Sequence, residues 1–299
     1  MTPEADNQRC RQDLLGSLEC DLALKRRFTA QLAEFLSATE REVESRLNSE
    51  LKDPGESVAE AWLVSNPRTP GEITQFYQET ESYIFDLASD HCCSRRAFVW
   101  NPVVTRIDRR GPRQDVLLYG DGIGTDSIAL ARLGHRATYF DLPGRTSDFA
   151  RFRFASEGLE DSITVITNPS KIPAGRFDAV VCIEVLEHVP DPTGTMRNLY
   201  AALKSGGIAL ITESFESIGP AYPSHLPENL KYAGKTHRLM ERVGFANTYY
   251  NSEPINRPME FIKKDPGLAA DLLRLRGRLQ RAVRTRWRYI THSAKGSES

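Results

Sequence analysis

The chain has 299 residues, of which 40% are hydrophobic and 26% charged, and its formal net charge is −1 at pH 7. This length and composition allow one large domain, or one domain with an extension, around a sizeable core. The near-neutral charge argues against a nucleic-acid binder that is basic over its whole surface, and no apolar run reaches the length of a membrane span.

The first part of the chain is predicted to be helical. Leucines and phenylalanines recur at three- and four-residue spacings from about residue 7 to residue 51, and a further helix is predicted from Pro70 to His91. Residues 1–105 are therefore predicted to form a helical extension, either a separate domain or a cap on the rest of the chain. On the second predicted helix, Tyr77 and Tyr83 are expected either to cover a bound acceptor or simply to join the core.

Between residues 106 and 265, short apolar runs alternate with amphipathic segments, which is typical of strands that alternate with helices. The helix before the fifth strand is predicted to end at Gly206 and Gly207. Seven runs are interpreted as strands: VLLYG, RATYFD, ITVIT, FDAVVCIEV, IALITES, FANTYYNS and PMEFIKK. Near-continuous apolar strands of this kind predict an α/β domain with a parallel sheet that helices cover on both faces.

The first predicted strand leads directly into three alternate glycines, Gly120, Gly122 and Gly124, in the stretch VLLYGDGIGTDS. Ligands of parallel sheets bind outside the carboxyl ends of the strands, and glycine lets a ligand approach the backbone closely. A dinucleotide fingerprint would need its third glycine at position 125, which is Thr125. The alternate spacing favours room for an adenosyl amino acid, and the alternative interpretation is a tight turn without a ligand.

This loop resembles the first motif of the class I S-adenosylmethionine-dependent methyltransferases of the small-molecule type. The resemblance extends over roughly residues 110–265 through FDAVVCIEVLEHVPDP and LKSGG. It implies a Rossmann-like, seven-stranded, mostly parallel sheet and S-adenosyl-L-methionine as the cofactor. The cofactor-binding residues that it implies are Tyr119, Gly120, Asp121, Gly122, Gly124, Asp141, Leu142, Asn168, Ile183 and Glu184.

Two of these residues carry specific expectations from the resemblance. Asp141 follows the second strand, where the family has an acidic residue for both ribose hydroxyls, and Asn168 follows the third, where the family often has Asp against the adenine amino group. The sequence departs from the family at Leu118, where an acidic residue usually stands. Asp121 is expected either to supply a compensating charge or to be a solvated loop residue.

The loop after the fourth strand borders the methyl group in this family, and here it carries Glu184, Glu187 and His188. The predicted catalytic residues are His188, Glu184 and His225. His188 is predicted to be a general base because an imidazole titrates near neutral pH, and the alternative is that it only orders the loop. Glu187 is expected to be structural or solvated.

The segment from residue 213 to residue 235 is predicted to wall the acceptor pocket, because a long loop inside a compact domain is usually functional. The predicted substrate-binding residues are Tyr77, Tyr222, Asn229 and Tyr232. His188, His225 and Glu213 are candidate metal ligands by residue type alone. No HxH or HxxxH spacing supports them, so no metal is expected.

Residues 266–299 are predicted to form a basic helix and a tail. The helix combines seven arginines between Arg274 and Arg288 with an apolar stripe made of Leu268, Leu272, Leu275, Leu279, Val283 and Trp287. Such a helix either docks on the N-terminal helices, pairs with a second copy in a homodimer, or contacts an anionic membrane or nucleic acid.

The favoured function is methyl transfer to the O, N or C atom of a small molecule, with secondary metabolism as the expected setting. An RNA or protein methyltransferase that uses the basic helix is the second hypothesis, and a non-catalytic cofactor-binding scaffold is the third. Nucleic acid is left open as a partner without being favoured. Five cysteines without a CxxC pair and an N-terminus without a signal-peptide pattern predict a reduced, cytoplasmic chain.

Overall fold

The structure, a computed structural model, describes residues 20–93, 95–219, 222–249 and 258–264, together with residues 272, 275–277 and 279. The helices of eight or more residues are α1 Leu22–Leu36, α2 Glu40–Lys52, α3 Glu56–Ser65, α4 Pro70–Glu79, α5 Ser82–Cys92, α6 Arg95–Asp108, α7 Thr125–Arg132, α8 Arg145–Ser156, α9 Pro192–Ala202 and α10 Thr236–Val243. The strands are β1 Asp115–Tyr119, β2 Arg136–Phe140, β3 Ile163–Ile166, β4 Phe177–Cys182, β5 Leu203–Ile211, β6 Phe245–Tyr249 and β7 Met259–Lys263. Two 3₁₀ helices span Pro169–Lys171 and Pro227–Tyr232.

The seven strands form one sheet in the order β3-β2-β1-β4-β5-β7-β6. The pairs from β3 to β5 are parallel, whereas β7 runs antiparallel to both β5 and β6. The predicted seven-stranded, mostly parallel sheet is therefore confirmed. Strand order reverses between β1 and β4, so the carboxyl end of β1 faces the crevice where this kind of sheet binds its ligands.

Two apolar clusters cover the two faces of the sheet, as the near-continuous apolar strands predict. All five residues of β1 are buried, and alternate β1 side chains point to opposite faces. Leu117 joins a cluster with α9 and α10, and Leu118 joins the other with α6, α7 and α8. Leu118 thus occupies a core position between layers, which accounts for an apolar residue where the family has an acidic one.

The N-terminal helices are a cap packed on the sheet domain. A third apolar cluster joins Phe28 of α1, Leu47 of α2 and Phe85 of α5 to Ile123 of the glycine loop and Phe149 of α8. Residues of the glycine loop and of the helical extension therefore bury their apolar side chains in the same cluster.

The helical stretches differ from the predicted ones at three breaks. Ser37 adopts a left-handed conformation and ends α1 before the capping box that starts α2. Between α4 and α5 the hydroxyl of Thr80 accepts from the backbone N–H of Ser82, a local bond that competes with a continuous helix. The predicted helix end at Gly206 is also wrong, because the chain is already extended from Leu203, where it pairs with Phe177.

Most of the predicted basic C-terminal helix lies outside the described residues, including Leu268, Val283 and Trp287. Its leucines 272, 275 and 279 are described and helical, and they are 56%, 52% and 58% exposed. The predicted stripe is therefore not covered at these three positions. In the part of the chain that the structure describes, no helix is both long and apolar enough to cross a membrane.

The contact between the cap and α8 is tight at Gly144, which precedes α8 at φ 150°. A Cβ there would overlap the backbone of Gln78 in α4, which cannot rotate away as a side chain can. We expect Gly144→Ala to lower the free energy of unfolding by about 3 kcal/mol through overpacking and backbone strain. Urea denaturation measures this loss.

The matched control is Gly158→Ala. Gly158 also has a positive φ, 66°, but no heavy atom lies within 4 Å of the position that a Cβ would take, so only the conformational cost of roughly 1–2 kcal/mol applies. Equal losses in the two variants would show that α4 yields freely at this contact.

Candidate active site

The glycine loop has an unusual backbone that glycine alone adopts without strain. Gly120, Gly122 and Gly124 have φ values of 74°, 55° and 74°. A Cβ on each would also collide with a neighbour, namely Val185 after β4, Leu87 of α5 and Phe154 of α8 respectively. The three glycines are therefore required both by conformation and by close packing from three sides.

Strand β2 and the residue that follows it hold the middle glycine. The backbone N–H of Gly122 donates to Oδ2 of Asp141 at 2.7 Å, and the Tyr139 hydroxyl donates to the Gly122 carbonyl at 2.7 Å. Oδ1 of Asp141 accepts from the N–H of Leu142 at 2.7 Å. Burial raises the pKa of Asp141 to about 6. Each carboxylate oxygen retains a further lone pair, so Asp141 is still able to accept hydrogen bonds from a diol.

Asp121 caps the start of α7. Its carboxylate accepts from the backbone N–H groups of Asp126 and Ser127, and from the Ser127 hydroxyl at 2.5 Å. The side chain is only 9% exposed, so the alternative of a solvated loop residue is wrong. Burial, followed by the nearby Asp126 carboxylate, raises the pKa of Asp121. Its visible role is to fix the loop against the helix N-terminus.

The cap side of the loop is held by a buried arginine. Arg153 of α8 is 2% exposed, and its guanidinium donates to the Ile123 carbonyl at 2.5 Å and to the Thr125 hydroxyl at 2.8 Å. It also donates to Gln31 of α1 and lies 4.6 Å over the ring of Phe28. One side chain thus ties the glycine loop to the cap.

Two further contacts join the cap to the start of α7. His91 Nδ1 lies 2.8 Å from the Thr125 hydroxyl, and Arg96 forms an ion pair with Asp126. Burial lowers the pKa of His91 well below its usual value, so the ring is neutral. The loop is therefore held by β2 of the sheet, by the neighbouring helix α8, and by α5 and α6.

The predicted acceptor side is assembled around His188, which follows β4. The rings of His188 and His225 lie 4.6 Å apart, and Tyr222 lies 5.1 Å from His225. The Tyr77 hydroxyl lies 3.0 Å from His188 Nδ1, and Tyr77 stacks on Tyr83 at 5.0 Å. The structure thus brings together four residues that the sequence predicts for catalysis or acceptor binding.

The neighbours of His188 select one tautomer. Its Nδ1 lies 3.1 Å from the Ser224 carbonyl, and a carbonyl oxygen only accepts, so Nδ1 carries the proton. The lone pair is then on Nε2. Burial, together with the neighbouring His225, lowers the pKa of His188 to about 3, which keeps the imidazole neutral at physiological pH. The neutral ring has its lone pair on Nε2, but a pKa of about 3 makes it a weak base, so it removes protons effectively only where a nearby negative charge raises that pKa.

Three carboxyl groups adjoin this cluster. Glu184 has a left-handed φ of 51°, a strained geometry of the kind found at functional sites, and it accepts from the Ser214 hydroxyl at 2.5 Å. Glu213 accepts from the Thr236 hydroxyl at 2.6 Å, and burial raises its pKa to about 7. Glu187 is fully buried, and burial raises its pKa well above the usual value.

Glu187 is fully buried, so the solvated alternative is wrong, whereas a structural role stays a prediction. Neither of its carboxyl oxygens has a hydrogen-bond partner among the residues that the structure describes. Glu187, His188 and His225 each present one ligand atom, and these atoms lie within 4.8 Å of one another. This trio is a donor set that could hold a divalent ion, and it differs from the set with Glu213 that the sequence suggested.

The loop after β5 docks on the loop after β4. The N–H of Leu226 donates to the Glu187 carbonyl at 3.1 Å. Nδ2 of Asn229 donates to the carbonyls of Glu187 and Val189 at 3.0 and 2.9 Å, and the side chain is 1% exposed. Asn229 therefore supports the loop of His188, whereas the sequence predicted that it would contact substrate.

Three other residues with predicted binding roles lie outside the cluster around His188. Asn168 is exposed, and its side chain accepts from the N–H and hydroxyl of Ser170 in its own turn. Tyr232 packs at 5.7 Å on Phe215 and lines a separate groove. The side chain of Ile183 packs against the sheet core. Their predicted binding roles stay predictions.

The two groups of residues adjoin one another. Val185 lies against Gly120, so the loop after β4 and the glycine loop form one continuous surface at the carboxyl ends of β1 and β4. Tyr119, which the sequence predicted for the cofactor, is buried there at 4.5 Å from Phe140. The geometry thus places the glycine loop beside the loop that carries His188.

Some important residues were not predicted. Tyr139 and Arg153 are ordinary members of apolar or charged patterns in sequence, and their partners come from elements far away in the chain. The position of Tyr139 could have been predicted, because residues two apart on a strand share a face and Asp141 is a predicted cofactor-binding residue. Tyr139 is therefore expected to point toward the same loop.

Comparison with known proteins agrees with this architecture. A family model described as a methyltransferase domain matches residues 92–260, more than half of the chain. The chain belongs to this methyltransferase domain family, and its sheet order and glycine loop are those of the class I S-adenosylmethionine-dependent methyltransferases. S-adenosylmethionine is the cofactor of that class.

Curated relatives match a shorter stretch. The ubiquinone biosynthesis O-methyltransferase of Xanthomonas axonopodis pv. citri is 39% identical over 107 residues, which cover 35% of this chain and 44% of the relative. That of Xanthomonas oryzae pv. oryzae is 40% identical over 111 residues, with 35% and 44% coverage. The match thus spans less than half the length of these relatives.

Solved structures resemble the chain at lower identity. A methyltransferase structure from Methanococcus maripaludis aligns with 19% identity and a TM-score of 0.48, covering 58% of this chain and 90% of that one. The 1,6-didemethyltoxoflavin-N1-methyltransferase of Burkholderia thailandensis aligns with 21% identity and a TM-score of 0.43, covering 56% and 78%.

Arg153 allows a direct test of the cap-side support. We expect Arg153→Lys to weaken binding of S-adenosylhomocysteine by roughly tenfold or more, because an ammonium cannot reproduce the fork of bonds to the loop and a charged hydrogen bond contributes about 1.5–3 kcal/mol. Isothermal titration calorimetry measures the change. Arg151→Lys, on the exposed side of the same helix, is the control, and equal affinities in both variants would contradict the role assigned to Arg153.

Proposed function

We propose that this protein transfers a methyl group from S-adenosylmethionine to a hydroxyl of a small-molecule acceptor. The observation that carries the proposal is the contact between Val185 and Gly120, which sets the His188 cluster beside the glycine loop. Membership of the methyltransferase domain family supports it, as do the curated relatives, which are named as O-methyltransferases.

The described residues fit the cofactor. Asp141 stands at the carboxyl end of β2 with lone pairs left for two ribose hydroxyls, and the glycine backbone leaves no side chain on the loop. Glu184, strained beside this loop, is the carboxylate proposed to face the methionine end. When bound, S-adenosylmethionine supplies a methyl group that its sulfonium already activates.

The task of the protein is then to align the acceptor and take its proton. His188 accepts the hydroxyl proton through Nε2, while the Ser224 carbonyl holds the Nδ1 proton in place. A positive charge stays in the site throughout, first on the sulfonium and then on the imidazole. The half-buried carboxylate of Glu184, beside the glycine loop, is proposed to stabilise that charge.

Aromatic side chains favour a compact, planar acceptor. Tyr77, Tyr83 and Tyr222 surround the two histidines, and burial raises the pKa of Tyr77 well above its usual value, so its hydroxyl stays neutral. Flat rings stack on such side chains at little entropic cost. A phenolic acceptor combines a planar body with an acidic hydroxyl, and we propose this class.

The other hypotheses stay predictions. A macromolecular substrate and a homodimer both depend on the C-terminal helix, most of which lies outside the described residues. A non-catalytic scaffold would leave the His188 cluster without a purpose. A reducing, cytoplasmic setting is also proposed, and the reduced thiols of Cys20, Cys92 and Cys182 support it.

The pH dependence of cofactor binding tests Asp141. Because burial raises the pKa of Asp141 to about 6, its carboxylate becomes protonated as the pH falls through that value and loses acceptor capacity for the ribose diol. We expect the dissociation constant of S-adenosylhomocysteine to rise by about tenfold per pH unit below 6. Asp141→Asn should bind weakly at every pH, without this inflection. An inflection that persists in Asp141→Asn would assign the titration to another group.

Transfer of label from radioactive S-adenosylmethionine to a panel of phenols tests catalysis. We expect His188→Gln to lower kcat by roughly 10²–10⁴-fold while binding S-adenosylhomocysteine as the wild type does, because only proton removal is lost. Activity should survive dialysis against a chelator. Loss of activity that a divalent ion restores would instead assign Glu187, His188 and His225 to a metal, and cofactor binding without any turnover would favour the scaffold hypothesis.

A further inference from the structure

A basic groove lies on the outer side of the long loop after β5. It has a volume of about 330 Å³ and is formed by the second 3₁₀ helix and α10. Its lining consists of four cationic side chains and two apolar ones: Lys231, Tyr232, Lys235, Arg238, Leu239 and Arg242. The groove does not include the residues of the His188 cluster.

The four cations are not neutralised within the described part of the chain. None of them forms an ion pair there, whereas many other arginines do, such as Arg106 with Glu260 and Arg145 with Glu81. The same two helical elements carry two acidic residues, Glu228 and Glu241, against the four cations. The groove therefore keeps a local excess of positive charge in a chain whose net charge is only −1.

This arrangement has a cost that the fold does not need. Arg238 and Arg242 are four residues apart on α10, a spacing at which like charges on one helix repel each other, whereas the Lys235 ammonium donates to the Lys231 carbonyl at 2.7 Å. Lys235 also stands at the N-cap of α10, where the helix dipole disfavours a cation. An anion in the groove removes both penalties at once.

The groove adjoins the proposed acceptor pocket. Thr236, next to Lys235, donates to Glu213, and Ser214 donates to Glu184 beside the cofactor loop. Tyr232 packs on Phe215 at 5.7 Å, so the same loop segment forms one wall of each space. Residues 213–215 thus lie between the His188 cluster and the groove, and Ser214 and Phe215 are buried there.

We propose that the groove binds a phosphate group carried by the methyl acceptor. Guanidinium forks match phosphate oxygens in pairs, ammonium groups add charge, and Tyr232 supplies a hydroxyl at the side. This inference rests on the proposed function for the identity of the ligand, and it adds that the acceptor is a phosphorylated small molecule. Because the groove is concave, it suits a single phosphate ester better than it suits a flat partner surface.

Calorimetric titration of the full chain with phenyl phosphate tests the proposal. We expect saturable binding that weakens by about tenfold or more in the double variant Arg238→Glu/Arg242→Glu, because charged hydrogen bonds are lost. The control double variant Arg109→Glu/Arg151→Glu changes the net charge equally at exposed positions elsewhere and should bind as the wild type does. No binding of phenyl phosphate, or equal binding in both double variants, would overturn the proposal.

A second arm separates the source of the phosphate. Leu230 is 51% exposed beside the groove, so vesicles of phosphatidylglycerol are compared with vesicles of phosphatidylcholine in a sedimentation assay. Sedimentation with phosphatidylglycerol alone, abolished by Arg238→Glu/Arg242→Glu, together with no response to phenyl phosphate, would replace the soluble acceptor by a lipid headgroup and contradict the proposal.

A third measurement keeps the two proposals apart. S-adenosylhomocysteine should bind all these variants with unchanged affinity, because none of the substituted residues touches the glycine loop. If the wild type binds phenyl phosphate but not S-adenosylhomocysteine, the proposed function fails while the groove assignment stands. If it binds S-adenosylhomocysteine but not phenyl phosphate, only the groove assignment fails.

Discussion

The backbone N–H and carbonyl of Gly122 are both hydrogen-bonded to side chains of β2 and of the residue that follows it. Tyr139 donates to its carbonyl and Asp141 accepts from its N–H, and these two side chains share a face because they are two residues apart. A loop with left-handed glycines would otherwise sample many conformations. The clamp fixes the loop before any cofactor arrives, so less conformational entropy has to be lost on binding.

The helical extension also helps to fix the glycine loop. Arg153 links the loop to α1, and Leu87 of α5 rests on Gly122 where any side chain would collide. Removing one partner from a buried charged network is costly because the remaining groups lose their compensation. The N-terminal helices thus support the glycine loop, because their core includes a residue of that loop, Ile123.

The sequence predicted those features that depend on local pattern. Strand positions follow from short apolar runs, and the ligand edge follows from Gly120 to Gly124 together with Asp141. It did not predict features that depend on tertiary hydrogen bonds. A polar residue in a loop, such as Asn229, is predicted to contact substrate, whereas three carbonyls from a loop about 40 residues earlier in the chain surround its amide. The burial of Glu187 was not predicted either, because it depends on the loop after β5 packing against the loop after β4.

The most direct test of this account is a crystal structure of the protein with S-adenosylhomocysteine. The account predicts that both ribose hydroxyls lie within hydrogen-bonding distance of the Asp141 carboxylate, with the sulfur turned toward Glu184 and His188. A nucleoside bound away from Gly120–Gly124, or an Asp141 side chain turned out of the crevice, would contradict it.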